Sequence, residues 1–385
     1  MVGLRPLPCA VVLLALASLS LAEGEPTGLR VMTFNIRYET GRDGENHWEL
    51  RKHLVIGAIR FHRVEILGVQ EAMAGQVAAI AEAFPDFGRF GLGRDGQAGG
   101  ERCAIFYSRD RFELVREATF WLSRNPDRPG ADWGAKLRRI CTWGQFKDKG
   151  TGRVFYVFNT HLDHQSEPAR LESAKLLIAK IQEIAGADPA LLMGDLNCGS
   201  DSGPYQTLTN GVEPGSPRPR RDLALRDASV ICEEAPYGPP GTFAGFGNGS
   251  APGAKIDYVL VKNDVRVLRT AIVPESWEGR TSSDHRPLLA DLVLGVPGRV
   301  TTLQMSRGWK FATDPEKKGE KLGYHRFGFE DKEWTWAYAG DPWELQGAKD
   351  YDGHAWYRRW VWIPADWTAE TVSLVLPGIA DGATV

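Results

Sequence analysis

The chain is short of cysteine, of long apolar runs and of net charge, and each shortage excludes something. Only 5 cysteines occur in 385 residues. The four beyond the N-terminal segment, Cys103, Cys141, Cys198 and Cys232, match no zinc-ligand spacing and are too sparse for a disulfide-built scaffold. A Cys198–Cys232 pairing stays open as one option, and Cys198 as a thiol nucleophile has no base placed for it. After residue 22 no apolar run approaches the roughly 20 residues that span a bilayer, so the mature chain is expected to hold no integral membrane segment. The formal net charge is −3 with no basic run, which removes long-range attraction for polyanions and leaves only a local patch as a means of binding nucleic acid.

The N-terminus stands apart from the rest. Arg5 precedes an apolar run over 11–19, and Ser20-Leu21-Ala22 places small residues where a signal peptidase acts. Residues 1–22 read as a cleaved secretory signal, which makes the protein secreted or periplasmic; the run is short for the alternative, an uncleaved anchor. The length suggests two domains, and the composition changes at the linker 296–304. Before it, residues 28–295 alternate β-rich runs (31–34, 65–69, 103–107, 154–158, 191–193, 256–261 and 288–294) with helical spacing over 48–61 and 169–185, as in a mixed α/β domain. Pro168 and Gly186 bracket the second helix. Surface loops are expected at 88–100, 211–221 and 236–253, the last with a glycosylation acceptor at Asn248.

Polar residues gather where the apolar runs stop. Asn35 follows VMTF, Glu71 follows ILGVQ, the run Asn159-Thr160-His161-Leu162-Asp163 follows VFYVF, and Asp195 and Asn197 follow LLMG. Asp257 opens IDYVLV, and Asp284-His285 precede LLADLVL. A single acid at a strand end is commonly a turn or a cap; the set is what carries meaning. If the last strands return antiparallel, all of these residues converge on one sheet edge. Glu71, Asp163, Asp195, Asp257 and Asp284 would then repel one another unless a cation lay among them, and oxygen donors without thiolate select Mg²⁺ or Mn²⁺. Asp257 and His285 form an acid–histidine pair suited to activating water, with amides to hold phosphate oxygens, as phosphoryl transfer to water requires. Of Arg138 and Arg139, strand alternation turns one toward the site, and Arg139 is the favoured phosphate clamp. Tyr107, ending its strand at the same edge, can bond phosphate or close the core.

The ordered series TFNIR, GVQEA, CAIFYSRD, NTHLDH, GDLN, KIDYVL and SDHRPL resembles the endonuclease/exonuclease/phosphatase superfamily over residues 28–295. The resemblance implies a four-layer α/β sandwich with two mixed β-sheets flanked by helices. It also implies metal binding by Glu71 with Asn35, and by Asp284 as a further ligand. His161 then serves phosphate or leaving group, Asp195 with Asn197 orients water and phosphate, and Asp257 with His285 is the catalytic dyad; Arg139, Tyr107 and Asp163 are candidate substrate contacts. Arg37 stands where abasic-site endonucleases carry an acid. NTHLDH, FWLS at 120–123 and Arg138-Arg139 look closer to a bacterial-type subgroup.

Beyond the linker, 8 of the 13 tryptophans fall in residues 305–385. WKFATDPEKKGEKLGY, WELQG, YDGHAWYRRWVWIP and VLPGIADGATV resemble the sugar-binding jelly-roll domain of family 2 glycoside hydrolases, cut short. Trp356, Tyr357 and Trp360 either meet a glycan or, as alternation favours, build the core. The resulting expectation is an Mg²⁺-dependent phosphodiesterase whose substrate is a nucleic acid, a lipid head group or a sugar phosphate. One rival is a phosphomonoesterase on sugar or inositol phosphates, which would need extra basic residues; the other is an inactive carbohydrate-binding scaffold, against which the intact acids argue.

Overall fold

The computed structural model describes residues 28–97, 99–211, 222–246, 253–274, 276–295, 309–326, 328–337, 347–349, 351 and 353–359. The expected signal 1–22, the linker, the loop 212–221, Asn248 and Trp360 lie outside the described residues. In chain order the strands are β1 (Leu29–Asn35), β2 (Ile66–Gln70), β3 (Phe87–Phe90), β4 (Ile105–Ser108), β5 (Phe112–Trp121), β6 (Ile140–Asp148), β7 (Val154–His161) and β8 (Ala190–Asp195). They continue with β9 (Arg226–Asp227), β10 (Asp257–Lys262), β11 (Val265–Ile272), β12 (Ser276–Trp277), β13 (Arg280–Thr281) and β14 (Leu288–Leu294). Two six-stranded sheets result, ordered β11-β14-β1-β2-β4-β3 and β5-β6-β7-β8-β10-β9.

Both sheets are mixed. β1 runs parallel to β2 and antiparallel to β14, while β7 runs parallel to β8 and β8 antiparallel to β10. β1 and β8 are buried almost throughout, which explains why they read as unbroken apolar runs rather than as alternating ones. Helices α1 (Trp48–Phe61) and α2 (Ala74–Ala83) follow β1 and β2, and α3 (Glu167–Ala185) and α4 (Gly203–Asn210) follow β7 and β8. α1 buries Trp48, Arg51, Val55, Ala58 and Ile59, the three-and-four spacing of one helix face. α3 starts at its cap Ser166, carries proline in its first turn and stops at Gly186.

Three apolar clusters define the layers. Val31, Ile66, Phe146, Phe155, Met193 and Val259 fill the space between the sheets. Phe34, Val55, Ile59, Leu67 and Ile80 seal the first sheet under α1 and α2; Phe158, Leu177, Ile181, Leu192 and Leu208 seal the second under α3 and α4. A polar bolt crosses the inner layer. Asn159 of β7 donates to the carbonyls of Val69 (3.0 Å) and Ala104 (2.9 Å) and accepts from Gln70 Nε2 at 2.6 Å. Gly68 permits this approach, because a Cβ there would lie 2.9 Å from both Asn159 Cγ and Met193 Cε.

The carboxyl ends of β1, β2, β7 and β8 and the amino ends of β10 and β14 share one edge. At this edge Asn35, Glu71 and His285 from one sheet meet His161, Asp195, Asn197 and Asp257 from the other. At the opposite edge Leu29, the first residue of β1, pairs with Leu292 near the end of β14. Farther along, β15 (Trp309–Thr313), β16 (Thr335–Ala337) and β17 (Ala355–Arg358) form an antiparallel sheet in the order β16-β15-β17. There Tyr357 packs on Phe311, ring centroids 5.0 Å apart, and Trp356 Nε1 donates to Asp314 at 2.9 Å, so both side chains serve the sheet's own packing.

Candidate active site

Strand register builds the first half of the site. His161 pairs with Asp195 across β7 and β8, and Asp257 pairs with Asp195 across β8 and β10; residues at one register position point to the same face. Asp195 Oδ1 accepts the Asn197 backbone N–H at 2.8 Å, and Asn197 adopts φ 49°, an Asx turn of the kind that asparagine tolerates well. The turn folds the Asn197 amide back to 2.9 Å from His161 Nε2 and 3.0 Å from the Leu162 carbonyl. His161 Nε2 also lies 3.4 Å from Asp195 Oδ2. Burial, then Arg139 and His285, push the His161 pKa well down, which favours the neutral ring.

The other sheet supplies the second half. Glu71 sits just past β2 at φ 59° and accepts from Asn35 Nδ2 at 3.1 Å and from the Tyr38 N–H at 3.2 Å. The same Asn35 amide nitrogen donates to Asp195 Oδ2 at 3.0 Å, so one side chain joins the carboxylates of the two sheets. His285 Nδ1 lies 2.8 Å from Asp257 Oδ2, its Nε2 lies 3.8 Å from Asp195 Oδ2, and the edge of Phe243 covers the ring. Burial first, then the Asp257 charge, raise the Asp195 carboxyl. Burial opposes protonation of His285, but Asp257, by charge and hydrogen bond, outweighs it and raises the imidazole.

The donor set suits a hard divalent cation. Ligand atoms of Glu71, His161 and Asp195 lie within 4.8 Å of one another, as do those of Asp195, Asp257 and His285. Asp257 Oδ1 is buried with no hydrogen-bond partner, a costly state for a carboxylate that a cation or a bound ligand would relieve. Asp284 joins neither group. It accepts from Ser283 Oγ at 3.2 Å and lies 4.0 Å from Arg37 Nη1.

Three further sequence expectations meet different surroundings. Tyr107 pairs with Ile66 at the start of β2, because β4 runs antiparallel to it; it therefore lies at the edge opposite the site and packs on Phe146 with centroids 5.2 Å apart. Asp163 is turned into the protein, where Oδ1 accepts the N–H groups of Gln165 and Ser166 and shapes the entry to α3. Arg138 precedes β6, outside strand alternation, so it shares a cavity with Arg139 in place of facing away. That cavity is lined by Glu71 and His161 together with Arg94, Glu101, Arg102, Arg138 and Arg139. Arg139 is buried, its Nη2 lies 3.1 Å from His164 Nδ1, and its Nε has no partner. Cys198 and Cys232 are free and buried, and burial raises the Cys198 thiol, the opposite of an activated nucleophile.

Arg51, Arg94 and Glu101 stand at the site with no strand-end signal in the sequence. Arg51 is fully buried on α1, and its guanidinium donates to four carbonyls: Asn46 (2.9 Å), Ile36 (2.7 Å), Arg37 (2.9 Å) and Ser282 (2.9 Å). It ties the segment after Asn35 to the segment before Asp284-His285. Its only sequence signal is an arginine on the apolar face of α1.

An edge-built acid, amide and histidine cluster on two packed mixed sheets defines a class of phosphoester hydrolases. The chain belongs to the endonuclease/exonuclease/phosphatase family, whose model matches residues 32–285. Among solved structures, a family member from Bacteroides vulgatus is 38% identical with a TM-score of 0.63, covering 70% of this chain and 99% of that one. The mannosyl-6-phosphatase of Bacteroides thetaiotaomicron is 35% identical with a TM-score of 0.64, covering 69% of this chain and 100% of that one. Nocturnin of Drosophila melanogaster is 27% identical over 173 residues, 42% of this chain and 26% of nocturnin, so the match spans about a quarter of that relative. Members of the family act as phosphoester hydrolases, and among the described residues no helix is long and apolar enough to cross a membrane.

Proposed function

We propose that the protein is an exported, divalent-cation-dependent phosphomonoesterase acting on a small sugar phosphate. The observation that carries this reading is Arg139, a buried guanidinium with an unpartnered Nε in a cavity shared with Glu71 and His161 and walled by Arg94, Arg102 and Arg138. A phosphomonoester is a dianion near neutral pH and needs such a cluster, and arginine presents it paired, planar donors. The phosphodiester expected from the strand-end acids alone gives way to the monoester on this ground. The sugar is supported by the 35% identity to a mannosyl-6-phosphatase, export by the pattern of residues 1–22, and activity over an inert scaffold by the intact acid set.

Asp195 is the proton acceptor in this reading. Its raised pKa suits a base working near neutrality, and the Asn197 N–H on Oδ1 and the Asn35 amide on Oδ2 fix the carboxylate. His285, kept as imidazolium by Asp257, donates from Nε2 to a phosphoryl oxygen. The Asn197 amide holds the His161 ring, and Arg139, in the cavity it shares with His161, clamps the remaining charge. Glu71, with Asn35 beside it, would hold Mg²⁺ or Mn²⁺, which supplies neutralisation of the phosphoryl oxygens and of the leaving oxygen when bound.

Phosphate release from hexose 6-phosphates and p-nitrophenyl phosphate, set beside cleavage of bis-p-nitrophenyl phosphate and single-stranded DNA, tests the proposal. Turnover of the monoesters with Mg²⁺, its loss in EDTA and its return on adding Mg²⁺ or Mn²⁺ are expected. Faster cleavage of the diesters, or indifference to EDTA, would overturn it.

A further inference from the structure

We infer that the Arg94–Glu101 pair, on the glycine-rich loop after β3, reads the hydroxyl groups of the substrate and so sets its specificity; this rests on the phosphomonoesterase reading. The loop is fastened beside the chemistry. The Arg102 N–H donates to the Ala72 carbonyl at 2.9 Å, next to Glu71, and the Arg94 N–H donates to the Glu101 carbonyl at 2.9 Å. From the other side Trp121 Nε1 donates to the Arg94 carbonyl at 2.7 Å. The turn is tight enough that a Cβ on Gly93 would lie 1.9 Å from the Gly99 carbonyl oxygen. Arg94 and Glu101 are thus presented by a fixed backbone, the condition for discriminating among similar ligands.

The side chains divide the cavity by charge. At its inner end Arg139 stands with His161 and Glu71. Along the wall two of the three remaining arginines have an acid within reach: Arg94 Nη1 lies 2.8 Å from Glu101 Oε2, and Arg138 Nη1 lies 2.8 Å from Asp95 Oδ1. The Arg94–Glu101 contact is close yet poorly aligned, because Nη1 is buried with no hydrogen bond accepted from it. Arg94 and Glu101 both line the cavity, one offering donors and the other acceptors.

A ligand with its phosphate against Arg139 lays the rest of its body along this wall. Donors set beside acceptors match vicinal hydroxyls, each of which both donates and accepts. The same wall disfavours a bare hydrocarbon, which would leave buried polar groups unpaired.

Two substrates with one skeleton test this: a hexose 6-phosphate and cyclohexylmethyl phosphate, which lacks the hydroxyls, each followed by phosphate release with Mg²⁺. The wild-type chain is expected to prefer the hexose phosphate. Glu101→Gln, which keeps the shape, and Arg94→Gln should each lower the ratio of the two kcat/KM values by about tenfold or more, mainly through KM, the loss of roughly one hydrogen bond. A ratio unmoved in both variants, or no preference in the wild-type chain, overturns the inference and leaves the monoesterase reading standing. Failure of the wild-type chain to hydrolyse either compound overturns that reading and the inference with it.

Discussion

His285 Nδ1 lies 2.8 Å from Asp257 Oδ2, although His285 leads into a strand of one sheet and Asp257 opens a strand of the other. The pair therefore exists only when the two sheets are packed in register, which couples chemistry to the core between them. Asn35, bridging Glu71 and Asp195, spans the same seam.

The pH profile follows from the charges at this seam. The Asp195 carboxyl, pushed up to about 7 by burial and then by Asp257, must be ionised to take a proton, so activity falls as pH drops through that value. His285, raised to about 10 against burial by Asp257, must be protonated to donate, so activity falls again on the alkaline side. Asp257→Asn removes the charge that raises both groups, and both limbs of the residual activity should move to lower pH. An acid limb near the ordinary carboxylate value of about 4 in the wild-type chain would contradict these roles.

Arg139→Gln should raise KM for p-nitrophenyl phosphate by roughly 10- to 100-fold, the usual worth of a charge-assisted hydrogen bond. The loss should be smaller for bis-p-nitrophenyl phosphate, a monoanion. Equal losses on the two substrates would mean that Arg139 does not sense the second phosphate charge.

Arg51→Met deletes the donors to four carbonyls at once. Stranding buried acceptors is expensive, and a loss of about 3 kcal/mol or more is expected in thermal or denaturant unfolding. Arg51→Lys should fall between the two, since one ammonium cannot span the four. Wild-type stability in the methionine variant would show that the carbonyls find other donors.

Gly68→Ala places a methyl group 2.9 Å from Asn159 Cγ and Met193 Cε. Overpacking of this kind costs about 1–3 kcal/mol, and here it also strains the Asn159 bolt. Unfolding at a lower temperature, with kcat reduced in parallel, is expected; an unchanged Tm would mean that the sheets have slack at this point.

Much of the site was legible because its residues interrupt apolar runs: Glu71, Asp195, Asp257 and His285 each adjoin a strand whose burial on both faces leaves a continuous signal. Tyr107 shows what such runs omit. Strand direction has no local signature, and the antiparallel course of β4 carries Tyr107 to the wrong edge. Arg51 was hidden for another reason, since its partners are backbone carbonyls that carry no residue identity. Arg94 lies in, and Glu101 just beyond, a segment whose glycines read as an exposed loop, although the fold draws it over the cavity. Asp163 illustrates the converse error, an acid in the right stretch of sequence that the chain spends on a turn.

The pairing of Leu29 with Leu292 places both flanks of the hydrolase unit at its blunt end, across the sheets from the acids. Anything joined to either flank acts as a handle held from behind. A fusion made at Leu29 or Leu292 therefore leaves the chain from the edge remote from Asp195 and His285.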